Sequence, residues 1–313
     1  MTPPRGKALL KGVAAVAFWG ASFIATKIAL RELHPFSVIW LRFGMGVLVL
    51  AVAVGLRKEF RWPGKRDILL LGFLGFLGIT LHQWIQVTGL LTAKASTTAW
   101  IITTSPVFIA ILGRIFLKES LTRGRVLGIA LAASGVLLIT TGGDPSLLLR
   151  FSLGEPGNGL VLLSAVTWAL FSVVSRHALR RLAPSLALLF VLGFGWLLVN
   201  PLLLTVGDIR LFPATLEGWI AVVFLGIFCS GLGYIFWYDA LHVMPASQVG
   251  SLLYLEPLIT LGAASFLLDE RVTVISLAAG AIIVLGVWLV TRRHGPGIPE
   301  TAAPSPEERR LDS

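Results

Sequence analysis

The chain has 313 residues, of which 56% are hydrophobic and 13% are charged. The charged share is about half that of an ordinary soluble domain, which excludes a soluble fold because such a fold cannot bury so much apolar surface. The formal net charge of +10 would suit a nucleic-acid partner, but the Lys and Arg residues lie in short loops between apolar runs, so we expect no nucleic acid.

Ten apolar runs are each about 20 residues long, the length of an α-helix that crosses a bilayer. The runs are continuous, whereas a membrane β-barrel needs short alternating segments. The sequence therefore predicts an all-α polytopic membrane protein with ten transmembrane helices. The predicted spans are residues 8–30, 36–56, 68–91, 95–116, 124–142, 158–179, 184–206, 217–240, 246–267 and 273–291.

The loops on the side of the N-terminus carry most of the Lys and Arg residues, and the densest set lies in residues 57–66. Because basic loops stay in the cytoplasm, we expect both chain ends to be cytoplasmic. Residues 294–313 are rich in proline and are predicted to be a disordered cytoplasmic tail. The predicted location is the plasma membrane, which is the inner membrane of a bacterium, and the chain is predicted to cross it several times.

The chain contains an internal repeat. Residues 19–35 align with residues 168–184, and residues 95–122 align with residues 246–273, so that Pro106 corresponds to Pro257. The predicted units are residues 1–143 and 144–293, with five helices each. Since five is odd, the second unit enters the membrane the opposite way round, an architecture of many secondary transporters.

Three sequence features carry a family resemblance: the opening Trp19-Gly-x-x-Phe23, the pair Arg42-Phe43, and the proline-then-glutamate pattern of SPVFIAILGRIFLKE and LEPLITLGAASFLLDE. Together they resemble the two EamA repeats of the drug/metabolite transporter superfamily. The resemblance implies a ten-helix carrier, often an exporter of amino acids or other small metabolites. It also implies a central cavity lined mainly by helices 1, 3, 4, 6, 8 and 9, with helices 5 and 10 at the periphery.

Glu256 and Pro257 stand together within a predicted span. A carboxylate at bilayer depth is costly unless it faces protein or water, and a proline removes one helical hydrogen bond. Two interpretations of Glu256 have equal standing: it binds a cation or a proton, or it bonds a neighbouring helix. Its counterpart in the first unit is Ser105, so the duplication does not account for the charge. Pro106 and Pro257 are predicted helix breaks.

The other candidate cavity residues are polar or aromatic side chains of predicted spans. Most of them differ between the two units, as an asymmetric substrate would require. Aromatic rings can stack on a substrate or hold a cation, and neutral groups can hydrogen-bond it or join helices. The set consists of Trp19, Gln83, Gln86, Trp100, Thr103, Ser105, Trp168, Tyr234, Trp237, Ser251, Tyr254 and Glu256.

Three further residues are basic. Lys27 and Arg42 are candidates for binding a charged group of the substrate. The alternative for Lys27 is that its side chain extends to the lipid headgroups, and the alternative for Arg42 is a structural pairing within the protein. His82 is a candidate proton relay, and the alternative interpretation is a packing role. Glycine spacing also predicts close helix contacts at Gly128 and at Gly262.

We expect a secondary carrier that exports amino acids or related small metabolites by alternating access, with a proton as a candidate coupling ion. The alternatives are a channel or facilitative uniporter and, more distantly, an integral-membrane enzyme. The sequence contains no G-x-x-x-x-G-K-[ST], no H-E-x-x-H and no G-x-S-x-G motif, so we expect no enzyme activity, cofactor or metal site. The expected partners are a small-molecule substrate and the lipid bilayer, and the expected state is a monomer or weak dimer.

Overall fold

The computed structural model describes residues 5–117, 122–144, 146–147, 153–178, 182–206, 210–244, 249 and 252–291. Ser251 and the predicted tail 294–313 lie outside the described residues. All regular structure in the described ranges is helical. The helices are α1 (Arg5–Ala29), α2 (Pro35–Leu56), α3 (Lys65–Gly89), α4 (Ala95–Ile102 and Ser105–Leu117), α5 (Arg123–Thr141), α6 (Pro156–Ala178), α7 (Pro184–Thr205), α8 (Leu216–Val223, Phe224–Leu232 and Gly233–Val243), α9 (Leu252–Leu267) and α10 (Val274–Thr291).

Eight of these helices, α1 to α8, are long and apolar enough to cross a membrane. The helices α9 and α10 are apolar but shorter, at Leu252–Leu267 and Val274–Val290. The described part of α9 starts only at Leu252, since residues 250–251 just before it are not described. The chain is therefore a multi-pass, all-helical membrane protein, and the count of ten spans stays a prediction.

Four helices depart from regular α geometry, and they do so at equivalent positions of the two sequence repeats. The middle of α3 is π-helical at Phe76–Leu81, and the middle of α8 is π-helical at Phe224–Leu232. Similarly, α4 is broken by a turn after Ile102, and α9 begins with a 3₁₀ turn at Leu252–Leu255. Irregular turns of this kind are frequent at functional sites.

Helix pairing also repeats when the two units are exchanged. The helix α1 packs against α8 and α9, and its counterpart α6 packs against α3 and α4. The helix α2 packs against its own counterpart α7, and α5 packs most extensively against α10. This exchange is consistent with the two-repeat architecture and places α1, α3, α4, α6, α8 and α9 next to one another.

Small residues allow α5 and α10 to approach closely. A Cβ on Gly128 would lie 2.6 Å from the carbonyl oxygen of Gly286, and one on Gly286 would lie 2.5 Å from the amide nitrogen of Ala132. Gly262 differs from this pattern, because a Cβ there would meet nothing within 4 Å. The close contact expected from the sequence at Gly262 does not occur within the described residues, since that side of α9 is exposed.

Charged residues tie the ends of α1 to α8. At the face where α1 begins, Asp239 of α8 pairs with Lys11 (2.6 Å) and with Arg57 (3.0 Å). At the face where α1 ends, Arg31 pairs with Glu217 (3.1 Å). Both ends of this helix pair are therefore held in register.

Glu32 joins the loop after α1 to the segment before α8. Its carboxylate accepts hydrogen bonds from the backbone N–H of Ala214 (2.7 Å) and Thr215 (3.1 Å), and from the Thr215 hydroxyl. The Thr215 hydroxyl bond and the Ala214 N–H bond, in that order, lower the pKa of Glu32 below its ordinary value.

We expect Gly128→Ala to lower the stability of the purified protein by about 1 to 3 kcal/mol, because the new methyl group forces α5 and α10 apart. The measurement is the melting temperature in detergent. The matched control is Gly262→Ala, whose methyl group faces open space. It should keep or raise the melting temperature, since Ala is the better helix former by up to about 1 kcal/mol. Equal losses in the two variants would contradict the close contact.

We expect the stabilising effect of Glu32 to depend on pH. Because its pKa is lower in the folded protein, the contribution is complete above the unfolded-chain pKa of about 4.3 and disappears as pH falls through the folded value. The melting temperatures of the wild type and Glu32→Gln should therefore differ most near neutral pH and converge in acid. A difference that stays constant down to about pH 3 would contradict this linkage.

Candidate functional site

The most buried cation of the predicted set is Arg42, in the first half of α2. Its side chain is 6% exposed and lies over the ring of Phe43, 5.2 Å from the ring centre. Its Nε donates to the Ser230 hydroxyl (2.8 Å) and its Nη1 to the Gln83 side-chain oxygen (3.4 Å). Arg42 makes no ion pair with any described residue. The structural pairing that the sequence offered as an alternative therefore involves neutral groups only.

Glu256 is the first residue of the regular part of α9 and is followed by Pro257. Its side chain is half-buried, and the carboxyl group makes no hydrogen bond or ion pair with another described residue. Its backbone is tied down: the Thr260 hydroxyl donates to the carbonyls of Glu256 (2.9 Å) and of Gly20 in α1 (2.7 Å). A carboxylate at a helix N-terminus is favoured by the helix dipole, which suits this position without a side-chain partner.

Cys229, in the π-helical piece of α8, precedes Ser230, whose hydroxyl accepts from Arg42. The Glu256 backbone packs against α1, where a Cβ on Gly20 would lie 2.9 Å from the Glu256 carbonyl oxygen. The Cys229 thiol donates to the Phe18 carbonyl (3.2 Å). The backbone carbonyl of Cys229 accepts the indole N–H of Trp19 (3.1 Å).

Aromatic side chains surround this centre. Trp19 of α1 packs against Tyr234 (5.5 Å between ring centres) and Trp237 (5.2 Å), both of α8. The three residues are half-buried. We call the following residues the central cluster: Trp19, Arg42, Gln83, Cys229, Ser230, Tyr234, Trp237 and Glu256.

The repeat-related side of the molecule carries a similar arrangement. Trp168 of α6 packs against His82 of α3, with 5.3 Å between ring centres. The Nδ1 of His82 lies 3.0 Å from the Ser164 carbonyl and 3.2 Å from the Thr167 hydroxyl. His82 thus has the satisfied contacts that a packing role requires. Gln86, one helical turn after His82, is buried, and its side chain bonds no other described residue.

Trp100 and Tyr254 belong to a different place from the central cluster. Both pack with α5 and α10, and they line a groove of about 470 Å³ together with Gly280 and Trp288. Trp100 is 3% exposed and lies against Gly280, where a Cβ would be 2.4 Å from the indole ring. These two aromatic residues therefore border the α10 side of α4 and α9.

The hydroxyl groups at the break in α4 bond to their own helix. Thr103 donates to the Ala99 carbonyl (2.9 Å), and Ser105 to the Ile102 carbonyl (2.7 Å). Pro106 is the second residue of the second piece of α4, as Pro257 is of the regular part of α9. Each proline stands where its missing N–H would have had no helical partner.

Lys27 lies far from the central cluster, near the end of α1. Its ammonium donates to the Ala93 carbonyl (2.6 Å) in the loop before α4. It borders a cavity of about 370 Å³ together with Arg31, Lys94 and Glu270. Glu270 caps α4 by accepting from the N–H groups of Ala95 (2.8 Å) and Ser96 (3.1 Å).

Sequence reasoning missed Cys229 and Ser230 as members of the centre. The π-helical geometry of α8 determines which way these two residues face, and glycines at 226, 231 and 233 are the one sequence feature that points to it. Within the described ranges, no three His, Cys, Asp or Glu side chains come together as a metal site would require.

Comparisons with known proteins agree with this architecture. An uncharacterized transporter of Archaeoglobus fulgidus is 30% identical over 279 residues, covering 89% of this chain and 96% of that protein. A probable terminal-alkyne amino-acid exporter of Streptantibioticus cattleyicolor is 27% identical over 296 residues. The match covers 92% of this chain and 94% of that protein. A solved crystal structure with 22% identity matches with a TM-score of 0.64, covering 91% of this chain and 96% of the other, which supports the fold alone.

The sequence pattern of the EamA-like transporter family matches residues 6–141 and again residues 155–292, nearly the whole chain outside its ends. The resemblance found in the sequence is thereby confirmed. The chain belongs to the EamA-like transporter family.

Proposed function

We propose that this protein is a secondary active transporter that exports amino acids or related small metabolites by alternating access. The observation that carries the proposal is the Glu256 carboxylate, half-buried beside a helix break and without a hydrogen-bond partner among the described residues. An ionisable group inside a membrane helix is a functional-site candidate by default, because its burial is costly and the helix dipole offsets that cost only in part.

The half-buried, mutually packed rings of Trp19, Tyr234 and Trp237 support a substrate of small, amphipathic chemistry. Such rings hold apolar groups and also attract an ammonium group through their faces. Export and the choice of amino acids rest on the Streptantibioticus cattleyicolor relative, which is named a probable amino-acid exporter.

Alternating access is favoured over an open channel by the placement of charge. A channel needs a continuous polar stripe or a ring of carboxylates. In the described chain, the ion pairs of α1 and α8 lie at the two faces, whereas the central cluster lies between them. The two units are proposed to move about this centre as inverted repeats of residues 1–143 and 144–293, in the plasma membrane with both chain ends cytoplasmic.

The proposed function is tested by transport in proteoliposomes. The assay loads liposomes with a pool of unlabelled L-amino acids and follows entry of the same labelled pool, with and without a pH gradient. Saturable exchange supports a carrier, and ohmic current without saturation contradicts it. Flux that ignores the pH gradient would exclude coupling to protons.

We expect Glu256→Gln to reduce amino-acid exchange about 10- to 100-fold, because a hydrogen bond to a charged group contributes about 1.5 to 3 kcal/mol. The measurement is the initial exchange rate at low substrate concentration. The matched control is Glu155→Gln, which removes an exposed carboxylate outside the central cluster and should leave the rate unchanged. Normal exchange and normal gradient-driven flux in Glu256→Gln would together remove Glu256 from the mechanism.

A further inference from the structure

Arg42 is a buried cation without an anion. A buried charge normally has a charged or fully hydrogen-bonded partner, because desolvation is costly. A guanidinium has five N–H donors. Only two of them donate to described residues: one to the Ser230 hydroxyl, and one to the Gln83 side-chain oxygen at 3.4 Å. Three N–H groups therefore remain without a described partner.

The described groups of neighbouring helices that bond Arg42 or act on it electrostatically include no acidic side chain. They come from α3, as Gln83 and His82, and from α8, as Cys229, Ser230 and Tyr234. None of them is a carboxylate. An anion that satisfies the remaining N–H groups must therefore come from outside the described chain.

The duplication does not require a cation at this place. Val191 of α7 stands where Arg42 stands in α2, and it is buried as part of the same hydrophobic core. An apolar side chain thus serves the scaffold at the equivalent position. The charge at Arg42 is an addition to the repeat, as the charge at Glu256 is.

These two additions are of opposite sign, and contacts between α1 and α8 link their surroundings. Arg42 donates to Ser230, the preceding Cys229 carbonyl accepts from Trp19, and Gly20, next to Trp19, packs against the Glu256 backbone. Arg42 and Glu256 form no ion pair with each other. A cation and an anion held apart around one centre are complementary to a molecule that carries both charges. Of the small metabolites in the proposed class, free α-amino acids meet this condition, whereas simple amines do not.

We propose that Arg42 binds the carboxylate of the substrate while Glu256 binds its ammonium group, so that the substrates are zwitterionic α-amino acids. This inference rests on the proposed function and names its substrate class. Two parallel N–H groups of a guanidinium suit a carboxylate, which a lysine at this place would bind as a point charge only.

The test compares a pool of neutral L-amino acids with the matching pool of amino-acid amides, which keep the ammonium group and lack the carboxylate. Binding to the purified full-length protein is measured as a rise in melting temperature with ligand concentration. The wild type should bind the acid pool at least about 10-fold more tightly than the amide pool. Arg42→Gln should bind the acid pool about 10- to 100-fold more weakly, with its affinity for the amide pool unchanged.

Two further variants complete the experiment. Arg42→Lys should fall between the wild type and Arg42→Gln, and it decides the question if Arg42→Gln does not fold. The matched control is Arg31→Gln, which removes an exposed guanidinium paired with Glu217 and should keep the wild-type preference.

The possible failures are distinguishable. If neither pool stabilises the wild type, the proposed function is overturned. If the acid pool binds but the amide pool binds equally well, or if Arg42→Gln or Arg42→Lys keeps the full wild-type preference, the proposed function stands and the role of Arg42 is overturned. Equal weakening of both pools in Arg42→Gln would assign the residue to packing and would also overturn the inference.

Discussion

The structure depends on one constraint: inside a bilayer, every backbone polar group must find its partner within the protein. The irregular helices meet it through side chains of neighbouring helices. Trp19 of α1 donates to the Cys229 carbonyl in the π-helical piece of α8. The π-helical piece of α3 is in turn bonded to α7, where Thr80 donates to the Gly195 carbonyl. Irregular backbone is therefore found where other helices cover it, which is also where a substrate can be enclosed.

Symmetry separates what the scaffold needs from what the substrate needs. The paired helices, the two π-helical pieces and the two prolines recur in both units. Arg42 and Glu256 do not recur, since their counterparts are Val191 and Ser105. The symmetric features belong to the scaffold that the two units share. The asymmetric charges oppose folding by their desolvation, and so they point to a ligand.

Much of this fold follows from the sequence, because apolar length and repetition are properties of the chain itself. The helices lie within a few residues of the predicted spans, and the family was identified from Trp19, Arg42 and the two proline motifs. The composition of the centre follows less well. A π-helical turn rotates all residues that follow it, so helical spacing alone could not bring Cys229 and Ser230 to Arg42. Trp100 and Tyr254 lie beside the break in α4 and in the 3₁₀ turn of α9, where helical spacing likewise could not separate them from the central cluster.

The separation of Arg42 from Glu256 has a consequence for how a carrier of this design would work. On the proposed assignment, an empty centre encloses two unpaired charges, whereas a centre that holds a zwitterion encloses two neutralised pairs. Closing both faces around the empty centre then costs more than closing them around the loaded one, since desolvation of unpaired charge is the larger penalty. A ligand shifts a conformational equilibrium only by its differential affinity for the two states. Substrate charges that satisfy Arg42 and Glu256 only when the site is closed would supply that difference.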